Sequence, residues 1–327
     1  MKRKESILTE DIFLSIVVPT YNRAKFLDKS LNSLCKSVYK SERKDIEILI
    51  LDNASSDKTS DIAKKYIDFG LVKYIKNSEN TGPDNNFKKA ISLSRGKYIW
   101  IFGDDDLVFD DTIKYLMWIL DSSSKFGIIH LKAQNFIDKI KPVEFKEFSN
   151  FKIYDDDKAE FIKEAHTNLT FITSNIVNKS LFDRIDLDVI ANNNLVQLYW
   201  NIACAILSDK QVVVFDKIYA ARQFNSGRYN FSEVFGANLN DTLITIEKNF
   251  NVDFVLEIFR KRLLIYYYPA NIIRIRNGLS AVRNENCFRN LYKIYKKFPS
   301  FWIFTVSAMW IPKKLGLLIV KFMQKTI

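Results

Sequence analysis

Three consecutive carboxylates, Asp104, Asp105 and Asp106, follow the apolar run Tyr98-Ile-Trp-Ile-Phe102 and Gly103. A run of that composition reads as a buried strand. Ending it on that much negative charge costs solvation energy unless something cationic meets it. Oxygen-only ligands suit a hard divalent ion, Mg²⁺ or Mn²⁺, which typically also holds substrate phosphates. The chemistry this points to is a metal–diphosphate site. The competing reading is a solvated acidic turn or a helix N-cap, where Asp is also favoured.

The elements that must position these carboxylates alternate in type. Phe13-Leu-Ser-Ile-Val-Val-Pro19 is a β-branched apolar run closed by proline, and Phe26, Leu27, Leu31, Leu34 and Val38 then recur at helical spacing. Ile46–Leu51 reads as a second strand ending in Asp52-Asn-Ala-Ser-Ser-Asp57, with a helix starting near Asp57, and Val72–Lys76 reads as a third. Asn80-Thr-Gly-Pro-Asp-Asn-Asn86 turns into a helix over 87–94, and the acidic run closes the fourth strand. Strands and helices alternating at this spacing predict βαβ units and a mainly parallel sheet. The polar turns after strands one, two and four then converge on one rim, where ligands of open α/β sheets lie. Beyond a helix near 111–121, Phe126–His130 and segments through about 153 read as antiparallel additions. Leu169–Val177 reads as an apolar strand with a polar Thr173-Ser-Asn175 centre, 195–207 as a helix, and Gln211–Phe215 as a last strand. No GxGxxG or Walker pattern occurs, which argues against a dinucleotide fold or a P-loop NTPase.

The 327 residues suffice for one large α/β domain plus an appendage. Cys35, Cys204 and Cys287 are far apart and form no CxxC, so a reducing compartment is expected and neither zinc nor a disulfide framework. His130 and His166 lack metal spacing and read as packing or surface residues. The net charge of +11 is uneven: from Asn251 onward there are 14 Lys/Arg against 3 Asp/Glu, and residues 1–250 hold 35 of each sign. Such a tail calls for an anionic partner, membrane or nucleic acid. Met1-Lys-Arg-Lys is not followed by an apolar segment, so no signal peptide is expected, and no run reaches the ~20 apolar residues of a spanning helix.

Val-Val-Pro-Thr-Tyr-Asn-Arg23, Leu-Asp-Asn-Ala-Ser-Ser-Asp57, Asn-Thr-Gly-Pro-Asp-Asn-Asn86 and Phe-Gly-Asp-Asp-Asp106 occur in that order. This set resembles the family 2 glycosyltransferases of the GT-A fold, and within them the abequosyltransferase-type bacterial sugar transferases, over roughly residues 12–225. The resemblance implies a Rossmann-like, mainly parallel mixed sheet flanked by helices. It also implies a nucleotide-sugar donor, a divalent metal and an inverting transfer of a hexosyl or deoxyhexosyl group to an acceptor hydroxyl. Matched position by position, Pro19, Thr20, Tyr21 and Arg23 are the nucleotide-contact turn, with Tyr21 near the base. Asp52 is the aspartate that hydrogen-bonds the base, and Gly82 and Asn86 belong to the third nucleotide-side loop. Asp104, Asp105 and Asp106 are the metal-binding DxD region, with Asp106 as first metal ligand and Asp104 as second.

Three departures stand out. Gly103 replaces the first aspartate of the family's cluster, and Asn192-Asn-Asn-Leu-Val-Gln197 replaces the acidic base motif. The later family histidine is also absent from Arg222-Gln-Phe-Asn-Ser-Gly227. An inverting transfer needs a base for the acceptor hydroxyl, and Asp186 or Asp188, just upstream of the Asn run, is expected in that role. Arg222 and Arg228 are placed to meet diphosphate or an anionic acceptor.

The domains expected are 1–230, nucleotide-sugar-binding and catalytic, and 231–327, a basic, aromatic helical region. Its apolar faces flanked by Lys and Trp suit helices lying in the headgroup layer. A glycan or polyprenyl-diphosphate-linked acceptor and a peripheral place on the cytoplasmic face of a bacterial inner membrane follow as expectations. A nucleic-acid-binding protein explains the tail but not the acidic strand end, and no RNP, zinc-finger or helix-turn-helix signature supports it, so no nucleic-acid partner is expected. A donor-binding pseudoenzyme is the remaining alternative, since the base motif is missing.

Overall fold

The computed structural model describes residues 11–67, 72–123, 125–137, 139–141, 143, 145, 147–190, 192–223, 229–280 and 282–326, with side chains as far as residue 320. The chain divides into two compact units, Met1–Asn192 with Val196–Gln223, and Asn193–Leu195 with Phe224–Ile327.

In the first unit, β1 (Leu14–Thr20), α1 (Ala24–Lys40), β2 (Ile46–Asp52), α2 (Thr59–Ile67), β3 (Val72–Lys76), α3 (Pro83–Leu93) and β4 (Tyr98–Ile101) alternate as the hydrophobic pattern predicts. They are followed by β5 (Leu107–Val108), α4 (Thr112–Ser122), β6 (Phe126–Phe136), β7 (Phe151–Asp155), α5 (Lys158–Ala165), β8 (Asn175–Asn178), α6 (Val196–Leu207) and β9 (Lys210–Arg222). The strands form one mixed sheet of nine in the order β3-β2-β1-β4-β8-β6-β9-β5, with β7 also on β9. β1, β2, β3 and β4 are mutually parallel, and β8 reverses direction beside β4. This is a mainly parallel mixed sheet flanked by helices, as the resemblance implies. Every residue of β1, β2 and β4 is buried, as runs covered by helices on both faces must be.

Three expectations are corrected by tertiary contacts. The helix expected from residue 87 begins at Pro83, which occupies the first turn where its missing N–H is no loss. The strand expected over 169–177 is a 3₁₀ turn at His166–Thr170 and a short strand from Asn175. Between them the Thr173 carbonyl accepts the Trp100 indole N–H at 2.8 Å and Thr173 Oγ1 accepts the Gly103 N–H at 2.8 Å, so this backbone serves the end of β4 rather than a ladder. β6 and β9 run parallel, with register shifts, far beyond the five-residue segments expected.

The second unit is helical: α7 (Leu239–Phe250), α8 (Val255–Arg262), α9 (Tyr268–Arg276), α10 (Cys287–Tyr295), α11 (Ser307–Trp310) and α12 (Lys313–Thr326), with π-helical turns at Glu233–Asn238, Leu263–Tyr267 and Phe301–Val306. Aromatic residues fill its core, and Tyr268, fully buried, donates to the Phe235 carbonyl at 2.7 Å. Asn193 donates to Thr242 Oγ1 and accepts from Asn238, so part of the Asn192–Gln197 run is spent on this unit. Among the described residues no helix is long and apolar enough to cross a membrane.

Trp100 lies fully buried at the end of β4, edge-on to Phe102 at 5.0 Å. Trp100→Ala is expected to cost about 3–5 kcal/mol, as large-to-small changes of core aromatics do, and to lower the unfolding midpoint in a denaturant titration accordingly.

Candidate functional site

Parallel register brings the ends of β1, β2 and β4 to one rim. Thr20 lies opposite Asp52, and Phe102 N–H donates to the Val17 carbonyl. Thr20 Oγ1 donates to Asp104 Oδ2 at 2.7 Å, joining two loops 84 residues apart. Thr20, Tyr21, Arg23, Asp52, Gly82 and Asp104–Asp106 therefore share one edge of the sheet. Pro19 is buried one residue inside it, paired with Leu51.

The aspartate turn is held from three sides. Asp104 accepts from Thr20 and from Arg23 Nε at 3.3 Å, and Asp105 Oδ2 accepts from Arg23 Nη2 at 2.5 Å. Asp106 Oδ2 accepts from Thr173 Oγ1 at 2.6 Å and Oδ1 from the Arg222 backbone N–H at 2.9 Å. Asp106, expected as the first metal ligand, thus spends both oxygens tying the turn to the segment before β8 and to the end of β9. Gly103 is explained by the same contact: a Cβ there would stand 2.9 Å from Asp106 Oδ2 and 3.1 Å from Thr173 Oγ1. A side chain at 103 would force the Asp106 carboxylate to shift, and with it the contact to Thr173.

Burial pushes Asp104 up to about 6 against the pull of Arg23, and pushes Asp106 up to about 7. Asp105 is raised by the same cause, opposed by Arg23 and Arg222. The Arg222 guanidinium lies 4.6 Å from the Phe136 ring and 5.0 Å from Phe26, whose ring also carries Arg23 at 4.9 Å. Two guanidinia on one aromatic ring therefore flank the three carboxylates. Arg228 lies outside the described residues.

The nucleotide side is an amide network. Asn53 Nδ2 donates to Asn80 Oδ1 at 2.8 Å and to the Gly82 carbonyl at 3.1 Å, and Asn77 Nδ2 donates to Asn53 Oδ1 and Asn86 Oδ1, both at 2.9 Å. Gly82 holds φ at 81°, a left-handed value that favours glycine, and so lets the loop enter α3. Asn86 is buried and holds α3 to the network. Asp52 is fully buried and accepts from Tyr74 Oη at 2.6 Å and the Ser55 N–H at 2.8 Å, which sets it under the rim. Tyr21 is 45% exposed, a ring available to stack.

Asp186 and Asp188, expected as the base, do not join this group. The segment carrying them leaves β8 at Asn178, which pairs with Tyr98 at the opposite end of β4. Asp186 caps the Asp188 N–H, and Asp188, with a side chain 93% exposed, pairs with Lys88 midway along α3 at 3.1 Å. Thr173, Asn53 and Asn77, which hold the rim together by side-chain hydrogen bonds, were not among the expected site residues. Their signal was present as polar side chains inside or directly after apolar strand runs.

Every carboxylate of the turn accepts from protein donors: Asp104 and Asp106 through both oxygens, and Asp105 from Arg23 and from its own backbone N–H. Among the described residues no group of three His, Cys, Asp or Glu side chains is arranged as a cage for a metal ion. Mg²⁺-type ions often take one or two carboxylates and complete their shell with substrate phosphates and water. The donor set is compatible with a divalent ion of that kind, anchored on Asp105, and not with an all-protein site.

The sequence profile of the family described as Glycosyl transferase family 2 matches residues 15–167. Residues 15–167 belong to that family. Abequosyltransferase RfbV of Salmonella typhimurium is 40% identical over 116 residues, which are 35% of this chain and 34% of that protein. The match thus spans about a third of that relative's length. Staphylococcus aureus TarS 1–349 in complex with UDP-GlcNAc superposes with a TM-score of 0.61 at 17% identity, covering 90% of this chain and 91% of the other. Mannosyltransferase PcManGT of Pyrobaculum calidifontis, in complex with GDP-Man and Mn²⁺, gives 0.55 at 14% identity over 92% and 86%. At those identities the structural likeness shows the fold, and the sequence match is to the family 2 glycosyltransferase profile over residues 15–167.

Because the folded pKa of Asp106 lies above its ordinary 3.8, its contribution to stability is full below that value and is lost as pH rises through about 7. Asp106→Asn stays uncharged and removes that loss. With chelator present, the variant's unfolding midpoint relative to the unaltered protein is expected to climb between pH 4 and 7 and to level off above. A difference independent of pH rejects this.

Proposed function

We propose that the chain transfers one sugar from a nucleotide-sugar donor to an acceptor hydroxyl, with inversion, in the synthesis of a bacterial surface glycan. Residues 1–230 carry the donor site and the chemistry, and 231–327 form the helical region. The observation that carries this reading is the meeting of the β1, β2 and β4 ends around Asp104 and Asp105, with Arg23 and Arg222 beside them. Two guanidinia within reach of a paired-carboxylate turn suit a diphosphate, whose oxygens match the Arg fork. Tyr21 offers its exposed face to the base, while Asp52, Asn53, Asn77, Gly82 and Asn86 fix the loops that border it. Asp105 and Asp104 would hold a divalent ion, Mn²⁺ or Mg²⁺; when bound, it neutralises charge on the departing nucleoside diphosphate. Asp106 and Thr173 keep the turn in place. No proton transfer is assigned to Asp186 or Asp188.

Thermal-shift titration with UDP-, GDP-, CDP- and dTDP-sugars, with and without Mn²⁺, identifies the donor, and transfer to a lipid-linked or free glycan acceptor is then followed. Asp105→Ala is expected to reduce turnover by about 10²–10³-fold, the scale on which loss of one electrostatic stabiliser acts, while Asp188→Asn leaves it within about threefold, as an exposed surface substitution. Undiminished turnover in Asp105→Ala rejects the donor-site assignment. Donor binding without transfer or hydrolysis favours the pseudoenzyme reading, to which the Asn run at 192–197 lends weight.

The helical region is proposed to rest on the cytoplasmic face of an anionic bilayer, where a polyprenyl-diphosphate-linked acceptor would be within reach. Trp302, Ile303, Phe304, Trp310, Leu315 and Leu318 are each more than 40% exposed. From Asn286 onward there are 8 Lys/Arg and no Asp or Glu. Exposed Trp and aliphatic side chains among uncompensated cations match the headgroup layer of acidic lipid. The full chain is expected to co-sediment with phosphatidylglycerol vesicles in low salt and poorly with phosphatidylcholine. The double change Trp310→Ser and Leu318→Ser should weaken the former by at least tenfold, since each fully buried apolar anchor is worth about 1.5–3 kcal/mol. Equal sedimentation of variant and parent dismisses this surface.

A further inference from the structure

We propose that Arg23 is the resident counter-ion of the aspartate turn and competes with the divalent cation for Asp105, so that cation binding is conditional on the diphosphate. The inference rests on the donor-site reading above and concerns how that site loads.

Arg23 is built into the site at both ends. Its backbone N–H donates to Thr59 Oγ1 at 3.3 Å, and as the residue preceding α1 it makes no capping bond with its side chain. That side chain lies over Phe26 and reaches Asp104 and Asp105 at once, with side chains 19%, 11% and 5% exposed. Ion pairs at that depth are screened little by salt, so the guanidinium is a strong occupant of the place a second cation would take.

The charges count against simultaneous occupancy. With all groups ionised, Asp104, Asp105 and Asp106 against Arg23 and Arg222 leave one net negative charge. A divalent ion alone would leave the site positive, with a guanidinium and a metal sharing Asp105. A nucleoside diphosphate reverses that balance and offers the guanidinium a new partner of suitable geometry, since the Arg fork binds phosphate as well as carboxylate. Arg23 then passes from Asp105 to a phosphate oxygen, Asp105 is released to the cation, and no covalent bond changes. Arg222 keeps its place during the exchange, its Nη1 donating to the Ile137 carbonyl at 2.6 Å and its backbone N–H to Asp106, with its buried Nε left to meet the diphosphate. Nucleotide and metal thus enter as a pair, and free cation is kept from occupying the turn alone.

The test is Mn²⁺ binding to the full chain, measured by electron paramagnetic resonance of free Mn²⁺ with and without UDP or GDP, whichever raises the melting temperature. The unaltered protein is expected to bind Mn²⁺ at least tenfold more tightly with nucleotide than without. Arg23→Gln is expected to bind Mn²⁺ alone at least tenfold more tightly than the parent and to lose most of the enhancement by nucleotide. Arg23→Lys, which keeps the charge without the fork, should fall between them and covers the case in which the glutamine variant does not fold. Mn²⁺ affinity in nucleotide-free Arg23→Gln or Arg23→Lys that equals or falls below the parent's overturns the competition. Equal Mn²⁺ affinity of the parent with and without nucleotide overturns the conditional loading and leaves the transferase reading standing. No Mn²⁺ binding by any form with any nucleotide overturns both.

Discussion

Asp106 is the fastening on which the candidate site depends. By accepting from Thr173 and from the Arg222 backbone it pins the turn after β4 to two segments that lie 67 and 116 residues further along the chain. A buried carboxylate is retained only where its hydrogen bonds are made, so this one enforces the closure of three chain segments around Asp104 and Asp105. Gly103 is part of the same constraint, because the fastening occupies the volume that a side chain there would need.

The electrostatics of the rim follow from that closure. Three adjacent carboxylates pushed toward higher pKa by burial are a standing demand for positive charge, met here by Arg23 and in part by Arg222. A site that is nearly balanced at rest responds strongly to a ligand that brings both a cation and an anion. On the proposed reading, a metal–diphosphate pair would exchange one set of short ion contacts for another, at a rim whose backbone is already fixed by parallel register.

The two units divide the physical labour. The first buries long β-branched strands between helices and presents its polar turns at one edge, which is where a GT-A fold meets its ligands. The second has an aromatic core, and its helices also carry exposed Trp, Ile and Leu side chains in a stretch without acidic residues. That combination is the ground for the proposed docking on an acidic, amphipathic surface.

Much of this was legible in the residues themselves. Apolar runs of five to seven residues closed by Pro19, Asp52 and the aspartate turn announce parallel strands, since hydrophobic periodicity is a local property. The four motifs in order pointed to the family over roughly residues 12–225, of which the family profile matches 15–167. What only the tertiary structure decided is which oxygen of each carboxylate faces what. Asp106 turned inward because Thr173 and the end of β9 arrive beside it, and Asp188 went to Lys88 because β8 delivers its loop to the far end of β4. Asp52 lies beneath the rim because Tyr74, two strands away from β1, reaches across to it. Local pattern determines where a chain goes apolar or turns, whereas the partner of a buried polar atom is set by segments distant in sequence, and no spacing within one motif encodes it.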